Sequence, residues 1–237
     1  MVALLVVACT SGAEPSSTTT TTMPTTTTVS TTTLPPTTTT TTEPRIGNPY
    51  GGVAIVADDQ EPPTLNPFVE GGDNFIVSII GQAYFTGVYE IDGRTLEFIP
   101  EVVTELPTVS NGGVVVNDDG TMTVHYTIRD EAVWEDGVPI SGDDFAFTLK
   151  ILQDPAYYTG LRENPYEDVV SLEATPKTFS YTMSQPTIQY EQFFRVLVPQ
   201  HAVEGSDFLV DWNEKMWPSG GPFRFSTWQK RDRIVVE

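Results

Sequence analysis

Residues 118–152 read DDGTMTVHYTIRDEAVWEDGVPISGDDFAFTLKIL, and the first half of this stretch predicts a β-hairpin. The dipeptide Asp119-Gly120 is typical of a tight turn between two antiparallel strands. Apolar and polar residues alternate after the turn, and the apolar ones are Met122, Val124, Tyr126 and Ile128. This period of two predicts a half-buried strand, with His125 on its solvated face.

The second half of the stretch predicts a capped helix. Ser141 lies three residues before Asp144, which is the spacing of a capping box. Ile140 and Phe145 occupy the positions of a hydrophobic staple. The density of carboxylates and hydroxyls leaves an acidic active site open as an alternative. Since each polar residue has a structural role in a cap or a turn, we interpret residues 132–152 as a structural joint between the hairpin and the helix.

Hydrophobic patterns predict further elements on both sides of this joint. Residues 53–57 (VAIVA) are a candidate buried strand, and residues 75–90 a helix that Asp73 or Asn74 caps. The predicted apolar side of that helix consists of Phe75, Ile79, Ile80 and Ala83.

The later part of the chain predicts a strand, a helix and a hairpin, in that order. The strand is marked by Phe179, Tyr181 and Met183, and the helix by Phe193, Phe194 and Leu197. Two strands with a turn at residues 229–232 follow, and the sequence ends inside the second of them.

Composition excludes several classes of function. The 237 residues carry a formal net charge of −20 and have a pI near 4.2, so the chain is expected to be repelled by nucleic acid. Cys9 is the only cysteine, and His125 and His201 are the only histidines. No disulfide within the chain and no thiolate metal cluster can form. We therefore predict no metal site and no cofactor.

The first residues, MVALLVVACT, indicate a secretory signal that ends at a cysteine. The segment resembles a bacterial lipobox, which implies that residues 1–8 are a truncated signal and that Cys9 carries a lipid. Eight apolar residues are too few to cross a bilayer, so the expected attachment is a lipid anchor. A buried free cysteine behind a wrongly placed start is the alternative.

A threonine-rich segment separates this anchor from the rest of the chain. Residues 16–44 contain 18 threonines with interspersed prolines and cannot bury apolar surface. We predict a disordered stalk over residues 9–45, open to O-glycosylation and roughly 90 Å long when extended. An anchor and a stalk suit a tethered receptor in the cell envelope, outside the cytoplasmic membrane.

Several segments of residues 50–237, in their order and spacing, resemble the extracellular solute-binding proteins of peptide and nickel ABC importers. This is family 5, which contains the oligopeptide- and dipeptide-binding proteins. The strongest similarity runs from Gly120 to Phe145 and includes Trp134, Asp136-Gly137 and Pro139. The other matching segments are PPTLNPF (62–68), GVYEID (87–92), VPQHAVE (198–204) and GGPFRF (220–225).

The resemblance implies an α/β (mixed α+β), periplasmic-binding-protein-like fold with two lobes, of which the first part is present. Residues 46–237 are then an incomplete solute-binding domain. Within it, residues 50–72 and 186–237 belong to the first lobe, and residues 73–185 to an extra small domain. The second lobe is expected after Glu237.

The resemblance also implies a ligand-binding segment after the TLNP loop, formed by Phe68, Val69, Glu70, Gly71 and Gly72. Peptide-like ligands lie along the backbone there, and two glycines permit close approach.

Tyr157 and Tyr158 match a place from which the extra domain reaches the cleft. An ordinary loop and packed tyrosines are the alternatives at these two places.

The family resemblance implies a binding protein with no catalytic residues, which delivers a peptide or similar small solute to the ABC permease subunits in the membrane. Two other classes of function remain open. One is an envelope hydrolase, although the sequence contains no G-x-S-x-G, H-E-x-x-H or phosphate-loop motif. The other is a sensory or adhesive module on the same fold.

Overall fold

The hairpin around Asp119-Gly120 forms and lies in the largest sheet of the protein. The computed structural model describes residues 52–157 and 164–237, and residues 55–237 form one compact unit. The strands are β1 (Tyr89–Ile91), β2 (Phe98–Pro100), β3 (Val114–Val116), β4 (Met122–Thr127), β5 (Val169–Ala174), β6 (Thr178–Met183), β7 (Phe225–Gln229) and β8 (Arg233–Val236). The helices are α1 (Phe75–Tyr84), α2 (Gly142–Gln153) and α3 (Gln200–Val203), with 3₁₀ turns at Pro165–Asp168 and Ile188–Gln192. Cys9 and the predicted signal and stalk lie outside the described residues.

The largest sheet is antiparallel and has the strand order β3-β4-β6-β5. Gly120 takes a positive φ of 86° in the β3–β4 turn, a conformation that glycine adopts without a steric penalty. The four apolar residues predicted on β4 and just after it are all at most 2 % exposed, and His125 is exposed. Both faces of this strand are therefore as the sequence predicts.

Aromatic rings fill the space between this sheet and α2. Tyr126 packs against Phe145 and Phe179, and Phe194 closes the cluster with ring centroids 5.4–6.2 Å from these three. This cluster belongs to the main hydrophobic core. Burial of several large rings is the main stabilising contribution here.

The joint before α2 is held by one buried carboxylate. Asp144 is 4 % exposed and accepts three hydrogen bonds, from Ser141 N at 3.0 Å, Gln200 N at 2.9 Å and Trp134 Nε1 at 3.3 Å. Burial raises the pKa of Asp144, which these hydrogen bonds oppose. The carboxylate thus ties the start of α2 to the start of α3, which confirms the structural interpretation of this stretch.

Two further hairpins, β1–β2 and β7–β8, form separate two-stranded sheets. The second confirms the predicted hairpin, with its turn closed by Asp232 N donating to Gln229 O at 3.1 Å.

The prediction of a buried strand at residues 53–57 is wrong. The segment has no strand partner among the described residues, and the side chains of Ile55 and Val56 are 90 % and 84 % exposed. An apolar run is a strand only where a neighbouring strand takes up its backbone hydrogen bonds.

The predicted helix at residues 75–90 forms, but it is shorter than predicted and buries a different face. Asn74 caps it by accepting from Ile76 N, and it ends at Tyr84. The buried residues are Ile76, Val77, Gly81 and Tyr84, whereas Phe75 is 71 % exposed. Among the described residues, no helix is long and apolar enough to span a membrane.

The helix predicted around Phe193, Phe194 and Leu197 does not form beyond a 3₁₀ turn. Phe194 has a φ of 57°, and its amide donates a hydrogen bond to Tyr166 Oη at 3.1 Å. Val88 N donates to Phe194 O, and Leu197 N donates to Thr86 O. These contacts with distant segments replace the bonds of a helix, although all three predicted apolar residues are buried.

Candidate ligand-binding groove

The loop before α1 is fixed by a buried asparagine. Asn66 is fully buried, its Nδ2 donates to Phe208 O at 2.8 Å, and its Oδ1 accepts from Phe68 N at 3.0 Å. Leu65 N also donates to Asn213 O at 2.8 Å. The TLNP loop is therefore attached firmly to the segment that follows α3, which gives the residues after it a defined position.

A groove of about 650 Å³ opens beside this loop. The predicted ligand-binding residues Val69, Glu70, Gly71 and Tyr157 line it together, although they are distant in sequence. The remaining lining residues are Asp73, Pro155, Ala156 and Leu209. A groove of this size lies within the usual range for small-molecule sites, about 300–1,000 Å³.

The main chain along this groove offers groups for hydrogen bonding. Gly72 N donates to Val69 O at 2.8 Å, and this closes a turn in which Gly71 has a φ of 83°. Within the described part of the chain, the N–H and C=O of Glu70 and the N–H of Gly71 make no hydrogen bond. Such groups are suited to pairing with an extended ligand backbone.

Tyr157 forms the opposite side of the groove, just after α2. Its amide donates to Asp154 O, and Ala156 N donates to the Asp154 carboxylate at 2.9 Å. The ring packs edge-on against Phe208 with centroids 5.2 Å apart. Burial raises the pKa of the Tyr157 hydroxyl, with further contributions from Asp154 and Asp207, so that it stays protonated and can donate to a ligand.

Two of the predicted residues do not line the groove. Phe68 is 7 % exposed, and its ring packs against Phe208 and Trp217 with centroids 5.9 and 6.2 Å away. Gly72 is buried against the Asn66-Pro67 backbone. The structure gives these two residues packing contacts that support the loop. Tyr158 lies outside the described residues.

The comparison with known families identifies the chain. Residues 97–237 match the family model described as "Bacterial extracellular solute-binding proteins, family 5 Middle". The chain belongs to this family.

Individual relatives agree with this family 5 assignment. The dipeptide-binding protein DppE of Bacillus subtilis is 24% identical over 182 residues, which are 64% of this chain and 32% of DppE. The oligopeptide-binding protein of Thermus thermophilus, solved with a pentapeptide, matches at a TM-score of 0.61 with 21% identity, over 75% of this chain and 36% of its own. AppA of B. subtilis, solved with a nonapeptide, matches at a TM-score of 0.60 with 18% identity. The match covers 75% of this chain and 34% of AppA.

The family 5 chain therefore spans about a third of the length of these relatives. Its mixed helix and sheet fold is that of periplasmic-binding-protein-like structures, as predicted. The relatives are binding proteins, which agrees with the prediction that the chain is not an enzyme.

The sequence analysis did not predict four lining residues of the groove, Asp73, Pro155, Ala156 and Leu209, or the supporting role of Phe208. Leu209 lines the groove and is 41 % exposed, and Phe208 supports Tyr157 from behind. Both lie in the segment SDFLVDW, which has no distinctive periodicity. Their position depends on the Asn66–Phe208 hydrogen bond, a contact between residues 142 positions apart.

Replacing Gly72 by Ala is expected to lower the free energy of unfolding by about 2 kcal/mol, because overpacking a tight site costs about 1–3 kcal/mol. A Cβ at this position would lie 2.2 Å from Asn66 O and 2.7 Å from Pro67 C, so the backbone must shift. Urea unfolding measures the change. Gly93→Ala is the control, since Gly93 has no positive φ and nothing lies within 4 Å of a Cβ added there; equal losses in both variants would contradict the packing role of Gly72.

Proposed function

We propose that the chain is the first part of a lipid-anchored substrate-binding protein, which captures a peptide or similar small solute outside the membrane and delivers it to an ABC permease. The observation that carries the proposal is the groove in which Val69, Glu70 and Gly71 meet Tyr157. The relatives solved with a pentapeptide and a nonapeptide support a peptide as the ligand class.

The start of the chain supports the anchored form. The apolar residues before Cys9 favour lipid attachment at that cysteine, and the threonine-rich residues 9–45 supply a spacer. Both features support a binding domain held away from the membrane surface, where it captures a diffusing solute before delivery.

The proposed division into parts follows the family resemblance. Residues 50–72 and 186–237 contribute to the first lobe, and residues 73–185 form most of the extra small domain. Phe68 and Trp217 of the first part share the main core with Tyr126 and Phe145 of the second. This common core favours movement of the two parts as one body, with hinge closure against a second lobe enclosing the ligand.

The proposed binding mode combines backbone pairing with one aromatic contact. The ligand's amides and carbonyls pair with the unused main-chain groups of Glu70 and Gly71, which gives affinity with little dependence on side chains. Tyr157 contributes a ring face and a hydroxyl from the other side. An extended peptide satisfies both requirements.

Replacing Tyr157 by Ala is expected to weaken peptide binding by the full-length protein about tenfold or more, because a buried aromatic contact typically contributes over 1 kcal/mol. Titration calorimetry with a mixed-sequence pentapeptide measures the affinity. Tyr190→Ala is the matched control, since Tyr190 is also a half-buried tyrosine but lies outside the groove.

Three results would count against the proposal. They are equal affinities in the two tyrosine variants, absence of peptide binding by the parent protein, and turnover of the peptide. Turnover of the peptide would favour the envelope hydrolase. Absence of peptide binding by the parent protein would favour the sensory or adhesive module.

A further inference from the structure

A second cavity of about 610 Å³ lies between α1 and the β1–β2 hairpin. Val77 and Phe85 line it from the side of α1, and Ile91 and Leu96 from the side of the hairpin. These side chains make its walls largely apolar. Its volume is sufficient for a small organic molecule.

Glu101 is one of the charged residues that line this cavity. Its Oε1 accepts from Thr86 Oγ1 at 2.7 Å, and its Oε2 accepts from Gly87 N at 2.8 Å. A carboxylate has about four acceptor positions, so about two remain for a ligand. Burial is the main cause that raises the pKa of Glu101, to about 7, and Glu90 adds to it.

Glu101 has no cationic partner within the described part of the chain. The ion pairs there are formed by other residues. Glu101 is half-buried. Partial burial of a carboxylate without a counter-charge is costly, and such a group in a largely apolar cavity is typical of a functional site.

The charges around Glu101 favour a cation. Asp73 and Glu90 line the same cavity, Tyr89 adds a neutral hydroxyl, and Arg195 is the one basic side chain among the lining residues. Above pH 7, where Glu101 is ionised, the carboxylates of Glu90 and Glu101 outweigh the single positive charge of Arg195, so a ligand cation is attracted.

Leu96 of the β1–β2 hairpin lines the cavity and has an unusual backbone conformation. Leu96 has a φ of 62° and is 74 % exposed. A leucine in the left-handed region is strained, and such strain persists where the surrounding structure holds it, often at binding sites. The Asp92 carboxylate holds the turn by accepting from the amides of Arg94 and Thr95.

We propose that this cavity binds an organic ammonium ion carried on an apolar body. The ammonium donates to the Glu101 carboxylate, and the apolar part packs between Val77 of α1 and Leu96 of the hairpin. This site goes beyond the proposed transport function, because it lies outside the groove at Glu70 and Tyr157. Only Asp73 lines both.

The test uses phenethylammonium as the probe and 2-phenylethanol as its neutral analogue, titrated at pH 8 into the purified full-length protein and followed by NMR. The amine is expected to bind at least about tenfold more tightly than the alcohol, since hydrogen bonds between charged groups are the stronger ones. Lowering the pH through 7 is expected to weaken binding of the amine, because Glu101 is then protonated.

Two variants make the test specific. Glu101→Gln removes the charge, while its amide still accepts from Gly87 N and donates to Thr86 Oγ1; it is expected to reduce affinity for the amine about tenfold. Ser78→Trp, at an exposed residue that lines the cavity, is expected to block it sterically. Ser171→Trp is its control at an exposed position of β5.

The proposal is overturned by any of three results. These are no binding of the amine up to about 10 mM, equal affinity for the amine and the alcohol, or parental affinity in both Glu101→Gln and Ser78→Trp.

Discussion

Replacing Asp144 by Ala is expected to lower the free energy of unfolding by about 3–5 kcal/mol, one of the two largest effects that we predict. The buried carboxylate accepts from the amides of Ser141 and Gln200 and from the indole of Trp134. The alanine variant leaves these donors without their acceptor, and each buried unsatisfied donor costs about 1–3 kcal/mol. Urea unfolding followed by circular dichroism measures the loss.

The neighbouring Asp143 provides the matched control. It lies in the same first turn of α2 but is exposed. Asp143→Ala removes only its interaction with the helix dipole, for which we expect at most about 1 kcal/mol. Similar losses in the two variants would show that Asp144 acts through the helix dipole alone and would contradict its role in joining α2 to α3.

The second large effect is a dependence of stability on pH that arises from Glu101. Its pKa is raised from 4.5 to about 7 in the folded protein, so the folded state holds more protons than the unfolded state between these values. Stability is therefore expected to fall as the pH rises from about 4.5 to 7, by up to about 2–3 kcal/mol from this group. Unfolding midpoints at pH 5 and pH 8 measure the change.

Glu101→Gln isolates this contribution from the other acidic groups. Glutamine resembles the protonated glutamate and keeps both hydrogen bonds, with Thr86 and Gly87, so the variant is expected to lose this part of the pH dependence. Glu90→Gln, which removes a neighbouring charge, is expected to shift the dependence only slightly, because Glu90 is a minor cause of the raised pKa. Identical pH profiles for the parent and Glu101→Gln would exclude the raised pKa.

The sequence predicts best where structure depends on neighbours within a few positions. The Asp119-Gly120 turn, the alternation along β4 and the capping position of Asp144 are local patterns, and the structure confirms each of them. The partners of Asp144 outside its own helix were not predictable, since Gln200 lies 56 positions away.

The sequence predicts least well where distant contacts replace local hydrogen bonds. Phe194 lies in an apolar run that suggests a helix, yet Tyr166 and Val88 bind its backbone and hold it in a left-handed conformation. Residues 53–57 have the composition of a strand without a neighbouring strand in the described structure.

The candidate site also has a part that was expected from the sequence and a part that was not. The TLNP loop and Tyr157 were both expected near the ligand from the family resemblance, and the groove brings Val69, Glu70 and Gly71 to Tyr157. The inward orientation of Phe68 was not expected. It follows from the aromatic packing with Phe208 and Trp217, which no local pattern encodes.

Because of the same aromatic packing, the fluorescence of Trp217 is expected to report on the groove. Phe208 contacts Tyr157 on one side and Trp217 on the other, with centroids 5.2 and 5.9 Å away. Trp217 is 2 % exposed, so its emission depends on the rings around it rather than on bulk water. A ligand that moves Tyr157 is expected to change the intrinsic fluorescence of Trp217 through two ring contacts, which allows occupancy to be followed without a label.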